Sequence, residues 1–328
     1  MKFSSVYVED EVRETDRVRS ILDRLKGIPI IEIERYGEVF NRGAQNFRLQ
    51  KRNPALILAK KHGSLVLDAP DGYGFTKGAS FYFSHMYNCI YDCRYCFLQG
   101  MYRSANYVLF TNYEDFANAI AEKIDLVDEA VFYSGYDCDS LALEPVSEFV
   151  PYFVPFFERH PNATLELRTK STQVRTLLSL EPIANCVVAL SFTPEEVHRR
   201  WESKVPSVEK RVEMLRKLQD AGWRVALRFE PLIFTEDFSN DYKMLFEFVF
   251  ARIDAARLHS TSVGHFRVPA QYFSKMLKLY PDDDLLARDY VNEDDMVGET
   301  HEKQQQMQEI VESLLEEYLE PEQVYHCG

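Results

Sequence analysis

"ASFYFSHMYNCIYDCRYCFLQG", residues 79–100, joins an apolar and aromatic run to a segment that holds three cysteines. Cys89, Cys93 and Cys96 follow one another with the spacing C-x-x-x-C-x-x-C, and they are half of the 6 cysteines in the chain. This spacing is too tight for three side chains on one helix face, whereas a loop can wrap it around a compact centre. The stretch therefore predicts a strand followed at once by a metal or cluster loop.

The elements that follow this loop predict the fold. Apolar runs rich in β-branched and aromatic residues alternate with helical segments of about 10 to 15 residues, which indicates βα units and a parallel sheet. The predicted strands are ASFYFS, EAVFYSG, ATLELRT, CVVALSF, WRVALRFE and ARLHSTSV. The predicted helices between them are NYEDFANAIAEKI, PVSEFVPYFVPFFERH, TQVRTLLSL, SVEKRVEMLRKLQDAG and DYKMLFEFVFARI.

About six such units are too few for a closed eight-stranded barrel. We therefore expect an α/β fold, either a partial (β/α)6 TIM-like barrel or a doubly wound sheet, with its active site at the carboxyl ends of the strands. We divide the chain into a small N-terminal accessory lobe (1–77), the partial barrel (78–265) and a C-terminal region (266–328) that completes the barrel and covers the site. In this last region Leu314, Leu315 and Leu319 lie on one face of a predicted amphipathic helix, which we expect to be a solvated helix that closes the barrel.

Composition and charge limit the classes of function that the chain can have. The chain has 328 residues, 46% of them hydrophobic, and a formal net charge of -14, so any binding of nucleic acid has to be local. We see no signal peptide and no apolar run long enough for a membrane span, and we expect a cytoplasmic protein. In a reducing compartment, clustered cysteines indicate metal binding or catalysis rather than disulfides.

The number of cysteines in the loop limits the kind of centre. A structural zinc site takes four N or S ligands, and here only His85 lies close in sequence, while Cys138, Cys186 and Cys327 are isolated. Iron–sulfur clusters normally take four cysteines. Three cysteines leave one iron of a cubane open to an external ligand.

The sequence resembles the spore photoproduct lyase family of radical SAM enzymes along nearly its whole length. The segments that carry the resemblance are VYVEDEV, QNFRLQKRNPALILAKKHG, CRYCFLQG, LRTKS, VALSFTPEEVHRRWESKVPSVEKRVEMLRKLQDAGW and HFRVPAQYFSKMLKLYP. The resemblance implies a [4Fe-4S] cluster whose open iron is chelated by S-adenosylmethionine, which is cleaved to a 5′-deoxyadenosyl radical. It further implies repair of 5-thyminyl-5,6-dihydrothymine in DNA, with an electron donor such as flavodoxin or ferredoxin and no membrane partner.

The resemblance also assigns roles to residues. Cys89, Cys93 and Cys96 correspond to the cluster ligands. The groups expected near S-adenosylmethionine are Ser134, Asp139 and Ser140 for the amino group, Lys170 for the carboxylate and Ser191 for the ribose. Arg228 and Glu230, which end the predicted strand WRVALRFE, are further candidates at the rim. Cys138 corresponds to the thiol that returns hydrogen to the product, and Tyr95 to one tyrosine of a radical relay. The serines and Asp139 also suit strand-end capping, and Cys138 also suits simple packing.

Two departures from the family limit what is implied about the substrate. Phe97 stands where the founding members have a second relay tyrosine, and it has no phenolic hydrogen. The stretch RDYVNEDDMVGETHEKQQQ is acidic where the founding members carry a basic, aromatic hairpin that enters DNA. Two alternatives to photoproduct repair therefore remain: the same chemistry on an RNA, peptide or small-molecule substrate, and a non-catalytic iron–sulfur or zinc protein.

Overall fold

The computed structural model describes residues 2–70, 72–75 and 78–327. The strands are β1 (Val6–Glu9), β2 (Ile30–Ile33), β3 (Leu56–Ala59), β4 (Leu67–Asp68), β5 (Ala79–Phe83), β6 (Met86–Tyr87), β7 (Asp92–Cys93), β8 (Tyr107–Phe110), β9 (Ala130–Ser134), β10 (Ala163–Thr169), β11 (Cys186–Ser191), β12 (Glu202–Ser203), β13 (Arg224–Leu232), β14 (Leu258–His265), β15 (Arg267–Pro269), β16 (Val291–Glu293), β17 (Met296–Gly298) and β18 (Val324–Cys327). The helices are α1 (Asp16–Arg24), α2 (Gly37–Phe40), α3 (Phe47–Arg52), α4 (Leu98–Met101), α5 (Tyr113–Ile124), α6 (Glu144–Ser147), α7 (Phe149–Glu158), α8 (Glu195–Trp201), α9 (Val208–Asp220), α10 (Phe238–Phe250), α11 (Ala270–Leu279) and α12 (His301–Leu315).

The main sheet has the order β18-β14-β13-β11-β10-β9-β5-β4 and curls into a half-barrel. Its neighbours pair in parallel except β4, which is antiparallel to β5. The six strands β5, β9, β10, β11, β13 and β14 follow one another in chain order across this sheet, which confirms the predicted partial barrel. β9, β10 and β11, in the middle of this sheet, are largely buried on both faces, as expected where helices cover a parallel sheet.

One predicted helix is wrong. TQVRTLLSL contains only a single 3-10 turn, Leu177–Ser179, between β10 and β11. Thr172, Val174 and Thr176 are β-branched and disfavour a helix, and Pro182 restricts the residue before it to extended conformations. The apolar spacing of this segment instead buries Val174 and Leu177 in the core.

The N-terminal part forms a second sheet, with the order β2-β1-β3-β8-β6. β6 and β8 lie beyond residue 77, so this sheet uses chain from both sides of the proposed lobe boundary. Residue 77 itself lies outside the described residues, and the division into three domains stays a prediction. Thr15 caps α1 by accepting a hydrogen bond from the Val18 N–H, and the helix buries Val18 and Ile21 against this sheet.

The C-terminal region contributes to both the sheet and the core. β18 pairs with β14 at the sheet edge, and α12 packs against the core through Met307, Val311 and Leu315. Leu319 is buried and Leu314 is partly buried, so the predicted apolar face faces the protein. The acidic stretch ahead of α12 forms the antiparallel hairpin β16–β17, extended by β15.

No helix in the described residues is both long and apolar enough to cross a lipid bilayer.

Candidate active site

A cavity of ≈ 750 Å³ opens where the strands of the half-barrel end. Its walls include Lys170 after β10, Ser191 at the end of β11, Glu230 in β13 and His265 at the end of β14. The segment between β5 and α4 forms another part of the wall. This is the place that a parallel α/β sheet provides for a site, because all strand carboxyl ends meet there.

The three clustered cysteines face this cavity together. Cys89, Cys93 and Cys96 all line it, and all three are free thiols. The backbone N–H of Tyr91 donates to Cys89 Sγ at 3.4 Å. Burial raises the pKa of each of these thiols, so holding them as thiolates requires a cationic centre. Three soft sulfur ligands on one cavity wall fit an iron–sulfur cluster with one open position.

His85 does not join the cysteines. Its ring stacks on Phe149 with the ring centroids 4.1 Å apart, and burial lowers its pKa to about 3. It is therefore a neutral core residue beneath α7. Within residues 2–70, 72–75 and 78–327, no three His, Cys, Asp or Glu side chains converge closely enough to hold a single metal ion.

The loop after β9 brings Cys138 and Asp139 into the cavity wall. Asp139 accepts hydrogen bonds from the Lys170 N–H and the Thr169 hydroxyl, both at 2.6 Å, and so ties this loop to the end of β10. Gly135 begins the loop at φ +91, and a Cβ atom there would lie 2.6 Å from the Ser140 hydroxyl. The tight turn therefore requires glycine, and it sets the position of Cys138.

Ser134 and Ser140 lie behind this wall. Their hydroxyl oxygens are 2.8 Å apart, and Ser134 also donates to the Glu166 carbonyl oxygen at 3.0 Å. Both side chains are buried, and their contacts join β9 to β10 and close the loop. Arg228 is also buried below the cavity, where it donates to Glu166 Oε2 at 2.7 Å. The structure thus places these three predicted residues beneath the wall rather than on it.

A four-residue ion network supports the cavity floor. Arg168 donates to Glu166 at 3.0 Å and to Glu230 at 2.9 Å, while Arg228 binds the other oxygen of Glu166. Burial tends to raise the pKa of Glu166, but the two arginines outweigh it and hold that pKa at about 2. Arg168 and Glu230 line the cavity, and the guanidinium of Arg168 lies 4.6 Å from the Tyr73 ring centroid. Arg168 was missed in the sequence, although charged residues inside the apolar strand ATLELRT were a usable signal.

Lys170, Ser191 and Tyr95 line the cavity near the cysteines. Lys170 Nζ donates to Glu202 Oε1 at 2.9 Å, and the Tyr95 hydroxyl donates to the same oxygen. Glu202 was missed because HRRWESK looks like a solvated helix end, yet its side chain is fully buried.

An aromatic wall faces these polar groups. Phe97 lies 5.6 Å from Tyr136 and 6.4 Å from Tyr272, measured between ring centroids. Tyr136 in turn contacts Tyr82 at 4.5 Å and Tyr73 at 5.4 Å. All five rings line the cavity. This wall suits a substrate with flat apolar faces, because aromatic rings stack on such faces.

Basic side chains that could form a local groove for nucleic acid are mostly engaged in ion pairs. The pairs are Lys51 with Asp92, Lys60 with Glu11, Arg199 with Glu196, and Arg200 with Asp284. Arg267, on β15, is exposed and lines the cavity. On the neighbouring hairpin, Glu293, Asp294 and Asp295 are exposed, and Met296 reaches the cavity. Three exposed acidic residues therefore directly precede Met296, next to the part of the cavity wall that Met296 and Arg267 form.

The half-barrel and the three-cysteine loop after its first strand define the class, a radical SAM fold. The family profile described as "Spore photoproduct lyase" matches residues 73–282. The chain belongs to the spore photoproduct lyase family, and the predicted family is confirmed.

Comparisons with individual spore photoproduct lyases support this assignment. The chain is 22% identical to a spore photoproduct lyase of Bacillus subtilis over 76% of this chain and 72% of that protein. It is 21% identical to one of Clostridium acetobutylicum over 59% of this chain, a match that spans 58% of that relative, less than two thirds of its length. Two solved structures superpose over almost the whole chain. A cysteine-to-serine variant of spore photoproduct lyase has a TM-score of 0.86 at 16% identity, covering 99% of this chain and 98% of that one. A double variant with bound AdoMet and dinucleoside spore photoproduct has a TM-score of 0.85 at 17% identity, with the same coverage.

Proposed function

We propose that this protein is a radical SAM lyase that reductively cleaves S-adenosylmethionine at a [4Fe-4S] cluster and repairs the thymine photoproduct 5-thyminyl-5,6-dihydrothymine in DNA. The observation that carries the proposal is one cavity that Cys89, Cys93, Cys96, Cys138 and Lys170 line together. Family membership supports the same chemistry, as does the relative whose structure has AdoMet and dinucleoside spore photoproduct bound.

In this proposal Cys89, Cys93 and Cys96 hold the cluster, which together with S-adenosylmethionine supplies a 5′-deoxyadenosyl radical. Lys170 binds the methionyl carboxylate, since its ammonium group has three donors and Glu202 uses one of them. Asp139 orients the loop beside the amino group, and Ser191 approaches the ribose. Electrons come from a small donor protein such as flavodoxin or ferredoxin, and the protein acts in the cytoplasm.

Cys138 is proposed to return hydrogen to the product. It lines the cavity and is 6% exposed. Burial, followed by the charges of Asp137 and Asp139, raises its pKa well above the ordinary value. The thiol therefore keeps its proton at neutral pH, and an intact S–H group is what hydrogen donation requires.

The decisive experiment is anaerobic. The cluster is reconstituted and reduced, S-adenosylmethionine is added with DNA that contains the photoproduct, and mass spectrometry follows 5′-deoxyadenosine and the lesion. Formation of 5′-deoxyadenosine with conversion of the lesion to two thymines is the expected result. Absence of both 5′-deoxyadenosine and lesion conversion with the reduced, cluster-loaded protein would contradict the proposal and favour the non-catalytic iron–sulfur or zinc alternative.

A second candidate is the same radical chemistry on another substrate, such as an RNA, a peptide or a small molecule. Phe97 and the exposed acidic residues of the hairpin favour it, because the polyanionic backbone of DNA is repelled by carboxylates next to the cavity wall. Production of 5′-deoxyadenosine while the photoproduct stays intact would support this candidate.

A further inference from the structure

Glu202 lies directly behind the cysteine loop. It belongs to β12, which pairs antiparallel with β7, so that Glu202 is opposite Cys93 and Ser203 is opposite Asp92. The Arg94 N–H also donates to the Trp201 carbonyl oxygen at 2.8 Å. The chain just before α9 is thus fastened to the cysteine loop by its backbone.

The carboxylate of Glu202 collects polar side chains from several elements. In the part of the chain that the structure describes, Oε1 accepts from Lys170 Nζ at 2.9 Å, from the Thr193 hydroxyl at 2.8 Å and from the Tyr95 hydroxyl. Oε2 accepts from Arg211 Nη2 at 2.9 Å and lies 3.0 Å from His198 Nδ1. A buried carboxylate is stable only when it is paired and hydrogen-bonded, and this one is.

Two of these partners reach the cavity. Tyr95 lies between Cys93 and Cys96, and Lys170 extends from the end of β10 on the other side. Their polar ends meet at one oxygen of Glu202, and Lys170 Nζ lies 5.6 Å from the Tyr95 ring centroid. Neither side chain can turn away from the cysteine loop without breaking its bond to Glu202.

We infer that Glu202 is a positioning residue that fixes Lys170, and with it Tyr95, against the cysteine loop for binding of S-adenosylmethionine. The inference rests on the proposed function, because it assigns the carboxylate of S-adenosylmethionine to Lys170. Glu202 does not contact the ligand. It holds the ammonium group at one place and leaves two of its N–H donors for a carboxylate in the cavity. Preorganised donors bind more tightly because no side-chain freedom is lost on binding.

The test is a double-mutant cycle on S-adenosylmethionine affinity, measured by equilibrium dialysis with the cluster-reconstituted protein under anaerobic conditions. Glu202→Gln removes the charge that anchors Lys170, and Lys170→Met removes the donor itself. We expect each single variant to bind about tenfold more weakly, and the double variant to bind like Lys170→Met within about twofold. Glu144→Gln, which changes an equally buried carboxylate outside the cavity, should keep the wild-type affinity.

Two outcomes would overturn the inference: unchanged affinity in Glu202→Gln, or equal losses with and without Lys170, which would indicate a general structural effect. If Glu202→Gln does not fold, Thr193→Val tests the same claim, because it removes one hydrogen bond to Oε1 and keeps the charge. We expect about threefold weaker binding with Lys170 present and no change in the Lys170→Met background. Failure of the proposed function would give other results. Either the cluster-loaded wild-type protein would not bind S-adenosylmethionine at all, or Lys170→Met would bind it with wild-type affinity.

Discussion

Cys138 is the residue whose chemistry can be separated most clearly from the rest of the site. It lines the cavity but belongs to a different loop from the cluster cysteines. We predict that Cys138→Ala still forms 5′-deoxyadenosine within about twofold of wild type, because the cluster ligands are unchanged. Correctly quenched product should fall about tenfold or more, as expected when a reacting group is removed. Mass spectrometry of products and 5′-deoxyadenosine checks both.

Cys186→Ala is the matched control for this prediction. Cys186 is also a buried free thiol, at the start of β11, and does not line the cavity. Its removal should leave the product distribution as in wild type. The donor role of Cys138 is wrong if Cys138→Ala gives the wild-type product in wild-type yield.

Phe97 is the second informative residue. The family resemblance implies two tyrosines around the last cluster cysteine, and Phe97 cannot pass a hydrogen atom. We predict that Phe97→Tyr lowers the amount of 5′-deoxyadenosine formed per product. The new phenol can give its hydrogen to the Cys138 thiyl radical left after product quenching, and the resulting phenoxyl radical can take a hydrogen back from 5′-deoxyadenosine, so that the nucleoside radical and then S-adenosylmethionine reform. Chromatography of both products over time measures this ratio. Tyr272→Phe alters a neighbouring ring of the same wall and should leave the ratio unchanged; an equal ratio in Phe97→Tyr and wild type would contradict the prediction.

At this scale the sequence predicted the side chains of the cavity wall better than those behind it. Cys89, Cys93, Cys96 and Lys170 follow local patterns, a cysteine spacing and a charge at a strand end. The polar contacts of Glu202 involve residues 4 to 107 positions away in the chain. Those with Lys170 and Tyr95 are 32 and 107 positions away, so no local pattern could reveal them. Burial of a charge depends on the tertiary fold, and the letters around Glu202 look like those of a solvated helix.

The hairpin β16–β17 is the element that bears on the substrate. Its turn, Asp294–Asp295, has φ values of 49 and 62, a conformation that Asp and Asn adopt more easily than most residues. We predict that Asp294→Asn together with Asp295→Asn keeps the turn and raises affinity for a single-stranded oligonucleotide about three- to tenfold at low salt. The gain should shrink as salt rises, because exposed charges are screened. Fluorescence anisotropy at several salt concentrations measures it.

The control for the hairpin is the same change of charge at another exposed site. Glu316→Gln with Glu317→Gln, after α12, removes two carboxylates away from the cavity. If both double variants change oligonucleotide affinity equally, net charge alone is responsible and the hairpin has no special position next to the cavity.

Among the elements, the long strands of the half-barrel were predictable and the short pairings were not. β9 and β11 are nearly continuous apolar runs, and β10 is apolar apart from its threonines and the paired Glu166 and Arg168, as a parallel sheet buried on both faces requires. β7 and β12 have two residues each, and their pairing depends on chain segments about a hundred residues apart. The hairpin was missed because VNEDDMVG has few strand-forming residues, and its pairing with β15 stabilises it from outside.

We expect one buried acid, Glu144, to make the stability of the whole molecule depend on pH. Glu144 lies at the start of α6, is 2% exposed, and accepts hydrogen bonds from the N–H groups of Phe149 (3.1 Å) and Val150 (3.2 Å) at the start of α7. Burial raises its pKa from 4.5 to about 8, although those N–H groups oppose the shift. The folded state therefore retains a proton on Glu144 that the unfolded chain releases near pH 4.5.

The sign of the pH dependence follows from this difference. Between pH 4.5 and about 8 the folded state binds one more proton than the unfolded chain. The stability that Glu144 contributes at low pH is therefore lost as the pH rises. Where this difference is a full proton, the free energy of unfolding falls by about 1.4 kcal/mol per pH unit. Glu144→Gln has no proton to lose. We predict that the free energy of unfolding of this variant, relative to wild type, increases from pH 5 to pH 8 by on the order of 3–5 kcal/mol. Urea denaturation followed by circular dichroism at each pH measures the difference.

Glu148→Gln, at an adjacent half-exposed carboxylate paired with Arg24, should show no such trend. A constant difference between Glu144→Gln and wild type across this pH range would mean that Glu144 is ionised in the folded core, with the helix N–H groups compensating its charge in full.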